Sequence, residues 1–137
     1  MSTFTTDADN DNQAQAALAE LRKTKGTIIW VSSGAAVKAY RAWGSYGSSK
    51  AAANSIAAHF ASENPDITSV AIQPGRVDTD MQAAIRANGQ ASMDPAEYQS
   101  FITVHEEGGL LKPSQPGNVM AKFVADPLHE LSGQFLA

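Results

Sequence analysis

Two runs of aliphatic and β-branched residues, TIIWVSS at 27–33 and ITSVAIQPG at 67–75, are separated by one long segment rich in alanine and serine, SYGSSKAAANSIAAHFASENPD. Neither run alternates polar with apolar residues, so each is expected to form a strand buried on both faces, as in a parallel sheet. Parallel neighbours cannot be joined by a tight turn; they need a crossover, and the intervening segment has the length and composition of a single helix. Asn64-Pro65-Asp66 supplies the turn that ends this helix. Pro74 and Gly75 end the second strand, because proline cannot donate to a ladder and glycine has no side chain to pack in it. The central part of the chain is therefore a β-α-β unit.

The flanks extend this pattern. Residues 1–12 are polar and acidic and are expected to form a disordered tail, with the folded domain at 13–137. QAQAALAELRKTKG is helix-forming and is expected to stop at Gly26. Between 78 and 109, TDMQAAIRANG and DPAEYQSFITVHEE read as two short helices, more a lid than a core, the second with Asp94 as its cap and Pro95 in its first turn. Ser114 is expected to cap a last helix with an amphipathic run from Val119 to Val124, and SGQFLA to begin a third strand. Alternating helices and buried strands define an α/β layered fold with a parallel sheet.

Composition narrows the function. At 43% hydrophobic residues over 137 positions the chain can bury the core of one domain. A formal net charge of -4 without a long Lys/Arg run argues against nucleic acid or an anionic membrane as partner. No apolar run approaches a membrane span and no apolar leader opens the chain, so no membrane partner is expected. With no cysteine there is neither a disulfide framework nor a thiolate metal site, and a cytoplasmic location is expected. Asp7, Asp9 and Asp11 mimic the opening of a calcium loop, but its sixth and twelfth positions are Asn12 and Leu18. His59, His105 and His129 lack metal-ligand spacing, so no metal site is expected.

The chemistry concentrates around GSYGSSK, at 44–50. Tyr46 and Lys50 stand four apart, hence on one face of a helix, where a cation lowers the pKa of a phenol and makes it a tunable proton donor. Thirteen residues before Tyr46, Ser33 closes the first strand, at the end of an open parallel sheet where ligands bind. Ser33, Tyr46 and Lys50, followed by PGRVDTDM, resemble the C-terminal half of a short-chain dehydrogenase/reductase over roughly residues 13–137. SSGAAVKAYRAWGSYGSSKAA, with Trp43 three before the tyrosine, is most similar to sepiapterin-reductase-like members.

That resemblance implies a Rossmann-type sheet with flanking helices and NAD(P)H-dependent reduction of a carbonyl to an alcohol. The small-molecule substrate would be an aldehyde, ketone or dicarbonyl, including pterin-like compounds. Ser33 would orient the carbonyl, Tyr46 donate the proton, and Lys50 assist Tyr46 and bind the nicotinamide ribose. Pro74, Gly75, Val77 and Thr79 would complete the cofactor site with Tyr46 and Lys50. The resemblance implies NADP, with NAD as the alternative. Tyr40, Trp43 and Met81 would line the substrate pocket, with Met93 and the lid behind them.

The family's glycine-rich phosphate motif does not occur in the chain, and the family's first four strands have no counterpart. TIIWVS is then expected to be an open edge that seeks a partner, a second copy or a complementary fragment. Homo-oligomerisation is also implied through the helices at 13–25 and 45–63, which in the family build a four-helix interface. The competing reading is a catalytically silent fragment that acts through those helices.

Overall fold

The computed structural model describes the backbone of residues 7–137 and side chains from Asn12 onward. Residues 1–6 of the expected tail lie outside the described residues. Helix α1 (Asp7–Thr24) begins six residues before the start read from the sequence. It ends where Lys25 takes a left-handed conformation (φ 51°) and the Gly26 N–H donates to the Leu21 carbonyl at 2.9 Å, a Schellman closure. Strand β1 (Thr27–Val31) follows, then helix α2 (Gly44–Glu63), strand β2 (Thr68–Ile72), helices α3 (Asp80–Asn88), α4 (Pro95–Glu106) and α5 (Ser114–Ala125), and strand β3 (Phe135–Leu136).

The three strands are parallel, in the order β1-β2-β3, with β1 and β2 in register from Thr27↔Thr68 to Val31↔Ile72. Helices α1 and α2 cover one face. Their apolar sides meet the sheet in a core of Ala14, Ala57, Phe60, Trp30, Ile67 and Ala71, with Leu18, Leu21 and Ile28 packed around it. Helix α5 also packs against β1. This Rossmann-like arrangement, a parallel sheet with flanking helices, agrees with the sequence reading.

Polar contacts within the core fix its geometry. The Trp30 indole N–H donates to the Ser69 hydroxyl at 2.9 Å, and that hydroxyl donates to the Ala57 carbonyl at 2.9 Å. Trp30 also meets Phe60 edge-on, with ring centroids 6.0 Å apart. At the far end of α2, Asn64 donates from its amide to the Phe60 carbonyl at 2.9 Å and accepts from Arg22 Nε at 2.8 Å, tying the ends of the two helices together. Ser132 extends the β2 ladder ahead of β3: its hydroxyl accepts from the Ser69 N–H at 3.0 Å and donates to the Ile67 carbonyl.

Two expectations are corrected. Strand β2 is buried from Thr68 to Ala71, but β1 is not buried on both faces: Thr27, Ile28 and Ile29 are half-buried and Val31 is 49% exposed. Among the described residues β1 pairs with β2 alone, which leaves its outer edge open. Ser114 does not cap α5 either, because Pro113 already has helical dihedrals; the Lys112 N–H is instead satisfied by Gln115 Oε1 at 2.7 Å. Asp94 caps α4 as expected, accepting from the N–H groups of Ala96 and Glu97, with Pro95 in the first turn. No helix among the described residues is long and apolar enough to cross a membrane.

The Trp30–Ser69–Ala57 chain yields a stability prediction. Ser69→Ala strands a buried indole N–H and is expected to cost about 1–3 kcal/mol in urea unfolding. The same substitution in a Trp30→Phe background should cost markedly less, because the donor is gone. Equal costs in both backgrounds would show that the hydrogen bond contributes nothing to stability.

Candidate functional site

Beyond Val31 and Ile72 the two strands end side by side, the last ladder bond running from the Ser32 N–H to the Ile72 carbonyl at 2.8 Å. The chain after β1 turns into a short 3-10 segment, Gly34–Ala36, capped by Ser33. The Ser33 hydroxyl accepts from the Ala35 N–H at 3.2 Å and donates to no described group, which leaves its proton available to the cleft. A turn then presents Tyr40 and Trp43, with Ala42 between them in a left-handed conformation (φ 70°). Such a conformation costs an alanine about 1–2 kcal/mol, a strain often found at functional sites.

Helix α2 starts directly after Trp43, and the small residues around Tyr46 have a steric cause. A Cβ on Gly47 would stand 2.7 Å from the Ala35 carbonyl oxygen, closer than real contacts allow. Glycine there lets the first turn of α2 press against the 3-10 segment and brings Tyr46 into the same cleft as Ser33. The Tyr46 ring packs edge-to-face on Trp43 at 5.3 Å. One turn further, Lys50 Nζ lies 5.9 Å from the centroid of the Tyr46 ring and donates to the Val31 carbonyl at 2.9 Å. Lysine and tyrosine share a helix face, as their spacing requires.

The opposite wall is the segment after β2. Gly75 has φ 82°, a conformation that L side chains rarely adopt, and a Cβ on it would approach Leu111 Cδ1 to 3.1 Å. The loop is held by a reciprocal pair of backbone bonds, Leu111 N–H to the Arg76 carbonyl and Asp78 N–H to the Leu111 carbonyl. Thr79 leads into α3, its hydroxyl turned back to the Val77 carbonyl at 3.3 Å.

Between these walls lies a cleft of ≈ 610 Å³, within the usual range of small-molecule sites. Ser33, Tyr40, Trp43, Tyr46, Lys50, Pro74, Gly75, Val77, Thr79 and Met81 all line it. Met93 does not: it is 5% exposed and packed beside Gly89, at the end of α3. The sequence reading missed Arg76, Glu97 and Phe101, which also line the cleft. Phe101 stacks on Trp43 with centroids 5.8 Å apart and planes 15° from parallel. No local pattern links α4 to the turn before α2, although Arg76 stands in full view within PGRVDT. Among the described residues no group of three His, Asp or Glu side chains is placed to hold a metal ion.

The family model for short chain dehydrogenase matches residues 12–90, and the chain belongs to that family of oxidoreductases. An uncharacterized oxidoreductase of Saccharomyces cerevisiae is 42% identical over 123 residues, covering 88% of this chain and 48% of that protein. A benzil reductase of the (S)-benzoin-forming type from the same yeast is 43% identical over 115 residues, covering 81% of this chain and 44% of its own length. The crystal structure of a Saccharomyces cerevisiae short-chain dehydrogenase/reductase matches with a TM-score of 0.90 and 39% identity, over 93% of this chain and 51% of that one. The chain thus spans about half the length of the relatives it matches.

The contact at Gly47 gives a prediction with an unusual sign. Inside a helix, glycine to alanine normally stabilises by about 1 kcal/mol. Here Gly47→Ala should destabilise, because the obstacle is a backbone carbonyl that cannot swing aside. A higher melting temperature for the variant would show that α2 does not sit this close to the Ala35 turn.

Proposed function

We propose that this protein reduces a small carbonyl compound to an alcohol, with NADPH as the hydride source and NADH as the alternative. The observation that carries the reading is that Ser33, Tyr46 and Lys50 share one cleft with the Pro74–Thr79 loop, at the C-terminal ends of parallel strands. The residues present suit the nicotinamide-ribose end of such a cofactor: Gly75 has no side chain to block close approach, and Lys50 keeps N–H groups beyond the one on Val31. They offer less to a pyrophosphate. The sequence has no glycine-rich phosphate motif, and the helix that opens on the cleft, α3, carries Asp80 in its first turn.

When bound, the reduced cofactor supplies hydride to the carbonyl carbon. The Ser33 hydroxyl donates to the carbonyl oxygen and stabilises the charge that develops there. Tyr46 passes its phenolic proton to that oxygen as the alcohol forms, and the Lys50 ammonium offsets the negative charge left on the phenol. Val77 and Thr79 would contact the cofactor, Thr79 at its carboxamide or its phosphates, and Tyr40, Trp43 and Met81 the substrate. The aromatic wall of Tyr40, Trp43 and Phe101, together with the benzil reductase relative, supports a flat aromatic ketone or dicarbonyl, or a pterin-like ring, as substrate class.

A cytoplasmic location fits the cysteine-free composition. Two copies would pair through α1 and α2, a reading supported by the exposed small residues Ser48, Ala51, Ala52 and Ser55 on α2. The second reading, a silent fragment acting through the same helices, is favoured by those exposed small residues.

Titration of the purified chain with NADPH, and with NADH in parallel, should show saturable enhancement of cofactor fluorescence. Tyr46→Phe is expected to lower kcat for benzil by about 10²–10⁴-fold with little change in cofactor affinity. No binding at millimolar cofactor would sink the reductase reading and leave the fragment reading. Sedimentation equilibrium should report twice the 14.4 kDa chain mass; a monomer would remove the pairing.

A further inference from the structure

Arg76 makes more contacts than a cleft-lining role requires. From the loop after β2 its guanidinium reaches across to α4, where Nη1 donates to the Ser100 carbonyl at 3.0 Å and Nη2 to the Ser100 hydroxyl at 2.9 Å. Nη2 also lies 3.4 Å from Glu97 Oε1, and the guanidinium carbon sits 4.4 Å above the Phe101 ring. The Ser100 hydroxyl in turn donates to the Glu97 carbonyl at 2.7 Å, so its own orientation is fixed. One side chain thus grips α4 by a carbonyl, a hydroxyl, a carboxylate and an aromatic face. The planar fork of arginine can do this and the point charge of lysine cannot.

The gripped ring is functionally placed. Phe101 is 5% exposed and in contact with both Arg76 and the stacked Trp43. Trp43 in turn packs on Tyr46. Helix α4 therefore reaches the proton-donor side of the cleft through a continuous stack, and Arg76 sets where that stack ends. Because Glu97 pairs with the guanidinium, this wall presents a charge-balanced surface instead of a free cation.

We propose that Arg76 is a positioning residue that latches α4 over the cleft and, by fixing Phe101 against Trp43, makes the site selective for flat aromatic carbonyl compounds over small aliphatic ones. This rests on the carbonyl-reductase reading for its substrate class, but the latch itself does not.

The test therefore has two readouts on the full chain. In hydrogen exchange without ligand, Arg76→Met should speed exchange across Pro95–Glu106 by about tenfold or more while Thr68–Ile72 is unchanged, with Arg76→Lys in between. Glu97→Gln, which keeps shape and removes one partner, should give a smaller acceleration of the same helix and serves if Arg76→Met does not fold. Unchanged exchange in α4 in the folded variants overturns the latch whatever the activity. In steady-state kinetics with NADPH, Arg76→Met should raise KM for benzil about tenfold more than KM for 2,3-butanedione, with kcat for benzil falling by less than about threefold. Faster exchange with an unchanged KM ratio overturns the selectivity role. If the wild-type chain reduces neither compound, the reductase reading and the selectivity role fall together, while the exchange result still decides the latch.

Discussion

The fold turns on how closely α2 seats itself on the sheet. The face it turns inward carries Ala53 and Ala57 above Phe60, all buried, and small side chains there let the helix axis approach β2. At that separation the Ser69 hydroxyl can reach a helix carbonyl while accepting from Trp30, which fixes the helix against both strands. The same close seat presses Gly47 onto the Ala35 turn at the far end of the helix. A bulkier inner face would lift α2, open the core and carry Tyr46 away from Ser33 together. Packing and chemistry thus depend on one run of small residues.

Surface electrostatics contribute far less. Lys23–Glu20 and Lys25–Asp66 are ion pairs with side chains about 70% exposed or more, of the kind typically worth well under 1 kcal/mol. Arg76 differs because its partners include backbone and hydroxyl oxygens in fixed geometry, and because Phe101 excludes water from one face of the guanidinium.

Much of this was legible in the sequence, for reasons that can be named. TIIWV and TSVAI are runs rich in β-branched and apolar residues closed by small residues or proline, so both strand starts could be placed to within one residue, although β1 ends at Val31 and Ser33 caps the 3-10 segment instead of closing the strand. Asp94-Pro95 carries its own capping chemistry, and α4 begins where that pair requires. The ten named cleft residues converge because β1 and β2 end at the same level of a parallel sheet. Misses occurred where a property depends on a distant neighbour. The exposure of Val31 depends on which strands lie beside β1, and the burial of Met93 on how α3 and α4 lean together. The grip of Arg76 on Ser100 joins residues 24 apart in sequence across two loops and helix α3. The early start of α1 was hidden by acidic residues that read as a tail, although Asp and Asn are well suited to the beginning of a helix.

The contacts around Phe101 divide the cleft into parts of different origin. The groups suited to handling a proton sit within Ser33–Lys50, on one strand end, one turn and one helix start, and their mutual placement is settled by local geometry. Part of the remaining wall, Phe101, is carried by α4, which meets Trp43 by aromatic stacking and is tied to the loop after β2 by Arg76. Substitutions in α3 and α4 can therefore reshape what the cleft accepts without moving the residues that would transform it. In a protein built this way, selectivity can drift over generations while the chemistry stays put.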